Sequence, residues 1–134
     1  MKKVILLAAL GFAAAAGNAY AGDAAAGEGL FNSKCKICHA IGEGAKNKVG
    51  PELNGVDGRK MASIADFKGY GADLKGMGDA GKAWDAATLA TYLADPKAFN
   101  PGTKMAFAGF KADTAAAENV AAYVLSFAAD GKKK

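Results

Sequence analysis

At 134 residues, 51% of them hydrophobic and 22% charged, the chain has the makings of one small domain. Its formal net charge of +4 is modest and no long basic run carries it, which excludes a nucleic-acid-binding surface. Past the first residues no stretch is apolar enough to cross a membrane, and the two cysteines and one histidine sit within a single pentapeptide.

The chain starts with a basic pair, Lys2 and Lys3, followed by an almost wholly apolar run from Val4 to Ala16 and an A-x-A site at Ala19-Tyr20-Ala21. This pattern predicts that residues 1–21 are a cleaved secretory signal peptide and that residues 22–134 form one domain. The alternative, an uncleaved anchor, suffers because the run is shorter than the roughly 20 residues of a spanning helix. Export from a bacterial cytoplasm leads to the periplasm, an oxidising space. Loss of Lys2 and Lys3 halves the formal net charge of +4, and much of what remains lies in Lys132, Lys133 and Lys134, expected to form a loose tail.

A first helix is predicted over Ala24–Lys34, with Asp23 as its N-cap and with Gly27 and Phe31 on one face. Cys35-Lys36-Ile37-Cys38-His39 follows at once. Cys-x-x-Cys-His is the signature of covalent c-type haem attachment. Two thiols a turn apart can each form a thioether to a haem vinyl group, and the adjacent imidazole then faces the iron. A structural zinc site needs four ligands, so Cys35, Cys38 and His39 would have to borrow one. A redox dithiol lacks its usual strand-helix-strand setting. A disulfide across so short a loop would stabilise little.

The next stretches are rich in glycine. Five glycines and Pro51 fall between Ala40 and Arg59, and five more glycines between Gly69 and Gly81, so both are expected to be loops. A second helix begins after Asp85 and stops before Pro96, with Leu89, Tyr92 and Leu93 as its apolar stripe. Pro96 to Phe110 shows no helical period. A third helix is expected from Thr114 to Ala129 behind Asp113, lined by Val120, Tyr123, Val124 and Phe127, with Gly131 as its C-capping glycine. No period-2 strand is present. The fold class is all-α: three main helices plus glycine-rich loops wrapped around one covalent haem, which supplies much of the core that such long loops would otherwise lack.

His39 can fill only one axial position of the iron, and methionine is the remaining soft ligand. The candidates are Met61, Met77 and Met105. Met105 follows Pro101-Gly102-Thr103-Lys104 in a segment that proline keeps extended, and it lies far enough along the chain to reach the other side of the ring. Met77, between Gly76 and Gly78, comes second, and Met61 has the weakest setting.

With these landmarks in order, the chain resembles the class I cytochromes c, close to bacterial cytochrome c2 and mitochondrial cytochrome c. The resemblance rests on Gly27 and Phe31, Cys35-Cys38-His39, Gly50-Pro51 with Leu53, Arg59, Tyr70, Trp84, Leu89 with Tyr92-Leu93, Asn100-Pro101-Gly102-Thr103-Lys104-Met105 with Phe107, and Tyr123. It implies a small cytochrome c fold with one haem c whose axial ligands are His39 and Met105. It also implies that the Pro51 carbonyl accepts a hydrogen bond from His39. Tyr92 would lie near the Met105 sulfur, and Arg59, Tyr70, Trp84 and Thr103 would surround the propionates. Gly27 would let the first and last helices cross closely near Tyr123. The stretch Gly71–Ala83 is longer than in the shortest relatives, and no role is carried over onto it.

Two filled axial positions leave no site for a substrate, which implies a one-electron carrier and no enzyme. The alternative is a haem enzyme or ligand sensor whose methionine is displaceable. Lys34, Lys36, Lys48, Lys97, Lys104 and Lys111 cluster in sequence around the haem-contacting segments and are expected to dock acidic partners transiently. By resemblance those partners are membrane redox complexes. A cytochrome bc complex would be the donor and a terminal oxidase or photosynthetic reaction centre the acceptor, with the carrier itself a monomer.

Overall fold

A computed structural model describes residues 22–134, so the expected leader over residues 1–21 lies outside the described residues. Five helices follow in order: α1 (Ala24–Lys34), α2 (Ala72–Asp79), α3 (Ala86–Ala94), α4 (Pro96–Phe99) and α5 (Thr114–Leu125). Among the described residues there is no strand, only the isolated bridges Lys60 to Ala83 and Phe127 to Lys133.

Aspartate starts each of the three expected helices. Asp23 accepts from Ala25 N at 2.9 Å and Ala26 N at 3.2 Å. Asp85 accepts from Thr88 N at 2.8 Å while the Thr88 hydroxyl accepts from Asp85 N at 3.0 Å, a reciprocal capping box. Asp113 accepts from Ala116 N at 3.1 Å. These bonds satisfy helix-end donors that the helices themselves leave free.

The helices meet at α5, which packs on both α1 and α3. A β-carbon at Gly27 would collide with the Asn119 carbonyl, so glycine is what lets α1 and α5 touch backbone to backbone. Asp23 N–H donates to the Asn119 side chain at 2.8 Å and ties the same crossing. Phe31 fills the junction and lies tilted on Tyr123, ring centres 5.3 Å apart. Val120, Ala121 and Val124 complete the core there with Leu89 and Leu93 of α3.

Five expectations from the sequence need correction, three on helices and two on the C-terminal segment. The glycine-rich stretch 69–81 is not all loop, because α2 forms within it. Its buried side is Leu74 and Gly78, and a β-carbon at Gly78 would strike the Met61 carbonyl, so this glycine is a packing surface. Proline likewise opens a helix in the next segment: Pro96 is the first residue of α4, whose N-cap Asp95 accepts from Ala98 N at 3.2 Å. Last, α5 stops at Leu125, short of Ala129. The Ser126 hydroxyl donates back to the Tyr123 carbonyl at 2.5 Å and the chain leaves the helix axis there.

The terminal lysines are no loose tail. Gly131, with φ 84°, turns the chain back instead of capping α5. Ala128 N then donates to Lys132 O and Lys134 N to Ser126 O, both at 2.8 Å. The Lys133 ammonium lies 5.7 Å from the ring centres of Tyr123 and Phe127, and Lys134 pairs with Asp57 at 3.0 Å.

Candidate haem pocket

A cavity of about 310 Å³ opens between α1, α3, α5 and the loops. Its lining brings together Cys35, Cys38, His39, Pro51, Arg59, Tyr70, Trp84, Tyr92, Thr103 and Met105, every binding residue expected from the sequence. Met61 and Met77 are not in that lining. Met61 is only 1% exposed in the core, and Met77 is half-buried against it.

The pentapeptide folds as one further turn after α1. Cys35 is the C-cap of α1, and its carbonyl accepts from Cys38 N at 3.0 Å and His39 N at 2.9 Å. Both thiols are half-buried, and neither is in a disulfide. Burial pushes the Cys35 thiol up to about 11, against the pull of Lys34 and with a further push from Cys38. A neutral sulfur suits this wall, and a thioether sulfur is also neutral.

The loop after the pentapeptide sets the imidazole. His39 Nδ1 donates to the Pro51 carbonyl at 2.8 Å, which leaves Nε2 as the nitrogen with a lone pair. Burial lowers the His39 pKa, opposed by the Pro51 bond, with the charges of Arg59 and Lys48 lowering it further, so the neutral ring is favoured. A β-carbon at Gly50 would run into the ring, so Gly50 is a positioning residue for His39. The loop itself is locked by Gly50 N to Cys38 O at 2.9 Å. Asn54, buried, exchanges two bonds with Gly42, accepting from its N–H at 2.8 Å and donating to its carbonyl at 2.7 Å.

At the methionine side, Met105 N donates to the Thr103 hydroxyl at 3.1 Å. The Tyr92 hydroxyl lies 3.4 Å from that oxygen and 4.0 Å from the Met105 sulfur. Thr103 is thus joined to Tyr92 and Met105. Trp84 stacks on Phe99 at 5.9 Å and meets Tyr92 edge-on at 5.3 Å. Arg59 donates from one nitrogen to the carbonyls of Glu52 and Asn54, each at 3.1 Å, and that nitrogen is 3.5 Å from the Glu52 carboxylate. The Tyr70 hydroxyl accepts from Ile64 N at 3.3 Å, and burial raises its pKa, so it keeps a proton to donate.

Two features were not anticipated from the sequence. Asn100 is 1% exposed and lines the cavity, yet its side-chain oxygen has no partner. An orphaned buried polar atom of this kind fits a cavity wall built to face something polar. Ile37 and Val49 are 80% and 77% exposed and line the same cavity, so its mouth is apolar. Their one sequence signal is isolation: each follows a lysine and belongs to no periodic face.

Of the lysines expected to dock partners, Lys34 and Lys104 line the cavity, whereas Lys36, Lys48, Lys97 and Lys111 lie outside its lining. All are exposed. Lys48 donates to the Lys36 carbonyl at 2.8 Å, and Lys111 is paired with Asp95 at 3.1 Å. The zinc alternative finds no support, because no three His, Cys, Asp or Glu side chains converge on a metal position among the described residues.

No protein-family model matches the chain. Whole-chain comparison is informative. Cytochrome c-554 of Methylosinus trichosporium is 50% identical over 100% of both chains. Cytochrome c2 of Rhodoplanes tepidamans is 52% identical over 75% of this chain and 90% of its own. The structure of cytochrome c2 from Rhodospirillum centenum superposes with a TM-score of 0.72 at 35% identity, over 80% of this chain and 99% of that one. A pocket that gathers two thiols, an imidazole and a thioether, on a fold and sequence shared with these proteins, makes the chain a member of the class I c-type cytochromes. Membership implies a covalent haem c with its iron and a part in electron transport.

Proposed function

We propose that the chain is a periplasmic one-electron carrier, with residues 1–21 removed on export and residues 22–134 holding one haem c. Cys35 and Cys38 would supply the sulfurs that hold the haem, and His39 and Met105 would ligate its iron. The observation that carries this reading is that Met105 shares the cavity with Cys35, Cys38 and His39 while Met61 and Met77 do not line it.

When bound, the haem iron supplies a centre that accepts and returns one electron. The residues decide how. The Pro51 carbonyl, accepting from Nδ1, holds His39 as a neutral ligand with Nε2 to the metal. Tyr92 and Thr103 hold the Met105 segment by hydrogen bonds. The aliphatic wall of Leu89, Leu93, Val120 and Val124 excludes water, which together with a thioether ligand raises the potential. Tyr70 and Arg59 offer donors to the propionates, and Asn100 adds an amide. With His39 and Met105 both as ligands the iron would offer no position to a substrate, so the reading is a carrier and no enzyme.

Lys34 and Lys104 line the cavity together with the exposed apolar side chains of Ile37 and Val49. Charges at the rim steer encounter, and a small apolar centre lets a complex form and part quickly. This suits a monomer that takes electrons from a cytochrome bc complex and passes them to a terminal oxidase or a photosynthetic reaction centre.

The far-red sulfur-to-iron band of the oxidised protein tests the ligand assignment. Met105→Ala should abolish it, and Met77→Leu should leave it intact. The reverse pattern overturns the reading.

A further inference from the structure

Among the described residues α2 packs against no other helix. Besides the core and Met61, it touches the turn that leads to Met105. That turn is closed by Thr103 N donating to the Asn100 carbonyl at 2.9 Å, and Asn100 N donates to Pro96 O at 2.8 Å. Between them Gly102 presents its N–H outward, and the Asp73 carboxylate, in the first turn of α2, accepts it at 2.7 Å. A β-carbon at Gly71 would collide with the Gly102 carbonyl, so α2 begins flush against the turn. Among the described residues the Asp73–Gly102 bond is the one hydrogen bond between α2 and residues 100–107.

We propose that Asp73 is a latch on the methionine loop: its carboxylate, through Gly102, holds residues 100–105 shut and so sets how often Met105 leaves the iron. The proposal rests on Met105 being the axial ligand. Physical chemistry favours this link for the task. A carboxylate accepting a backbone N–H makes a stronger bond than a neutral pair. The other side-chain ties that reach the segment from outside it are longer: Tyr92 lies 3.4 Å from the Thr103 hydroxyl and 4.0 Å from the sulfur, and the backbone bond from Asn100 to Pro96 holds only its first residue. Pro101, Gly102 and Lys104 are exposed, so little apolar burial holds the turn in place. Asp73 acts through the loop, as a positioning residue.

Added imidazole binds ferric iron only where the methionine has left. Its apparent dissociation constant therefore falls in proportion as the open fraction rises. In the oxidised holoprotein, Asp73→Ala should tighten imidazole binding roughly fivefold, the scale of one lost hydrogen bond. Asp73→Asn keeps an acceptor oxygen and should tighten it about twofold. Asp79→Ala, at the exposed far end of α2, should leave the constant unchanged. Gly102→Ala places a β-carbon 2.9 Å from the Asp73 carboxylate and should act in the same direction as Asp73→Ala. Combining the two should add little, because both break one contact.

Unchanged imidazole affinity in Asp73→Ala, with the far-red band intact, overturns the latch alone. So does full additivity of Asp73→Ala and Gly102→Ala. A lower denaturation midpoint without tighter imidazole binding also overturns it, since Asp73 would then support the chain as a whole. A wild-type protein without the far-red band overturns the ligand assignment and the latch with it.

Discussion

The α1–α5 crossing and the methionine loop are both tied to distant parts of the chain, but by different means. At the crossing, Gly27, Phe31, Val120 and Tyr123 are all buried and backbone meets backbone. In the loop, residues 100–105 hang on a few hydrogen bonds from Asp73, Tyr92 and Pro96, with half-buried or exposed side chains except for Asn100. The first arrangement resists opening because it would expose apolar surface. The second can open at the cost of a few polar contacts that water replaces. A scaffold held by apolar burial and a methionine loop held by a few polar contacts are thus separate parts of one small chain.

The sharpest way to break the comparison is at the crossing. Gly27→Leu should lower the unfolding free energy by about 3 kcal/mol through overpacking, more than the ~1 kcal/mol that better helix propensity returns. Gly29→Leu, two residues away with nothing within 4 Å of its β-carbon position, should keep or slightly raise stability. Guanidinium unfolding followed by circular dichroism checks both, and equal losses would show that α1 is merely intolerant of bulk. Next comes a helix start. Asp85→Ala should cost about 1 kcal/mol at neutral pH. The hydrogen bonds from Thr88 hold the Asp85 carboxyl below its ordinary value of 3.8. The folded chain therefore binds this proton less readily than the unfolded one. The contribution is complete above that ordinary value and fades as pH falls through the lowered one, so variant and wild type should converge in acid. The smallest effect on stability belongs to the rim. Lys104→Glu should stay within about 0.5 kcal/mol of wild type. It should nevertheless slow electron transfer to an acidic partner and flatten its salt dependence, because a charge at the mouth acts within the roughly 8 Å Debye length. Lys132→Glu should do neither. Lys133 is no control, since it pairs with Glu28 at 3.9 Å and covers Tyr123 and Phe127.

The same division explains what could be read from the residues alone. Asp23, Asp85 and Asp113 each announced a helix, and each caps it. The pentapeptide and the proline-framed Met105 line one cavity. α2 escaped notice because its buried side is Leu74 and a glycine that reads as a breaker but serves as a contact with Met61. Asp73, Asn54 and Asn100 escaped for a related reason. Their partners are backbone groups far along the chain, or none, and such bonds leave no periodic trace. The end of α5 was set too late because the residues after Leu125 stay apolar while they turn to meet the C-terminal strap.

The meeting of α1 with the C-terminal segment also sets an order of assembly. Asp23 is bonded to Asn119, 96 residues later, and among the described helices α1 packs on α5. Lys134, the final residue, fastens to Asp57. Until the last segment arrives, α1 has nothing to pack on, and the thiols that follow it sit in an open chain. Contacts at such separation form late, since a long loop must close first. The turn that follows α1, with Cys35, Cys38 and His39, is therefore among the last parts of the fold to be fixed in place.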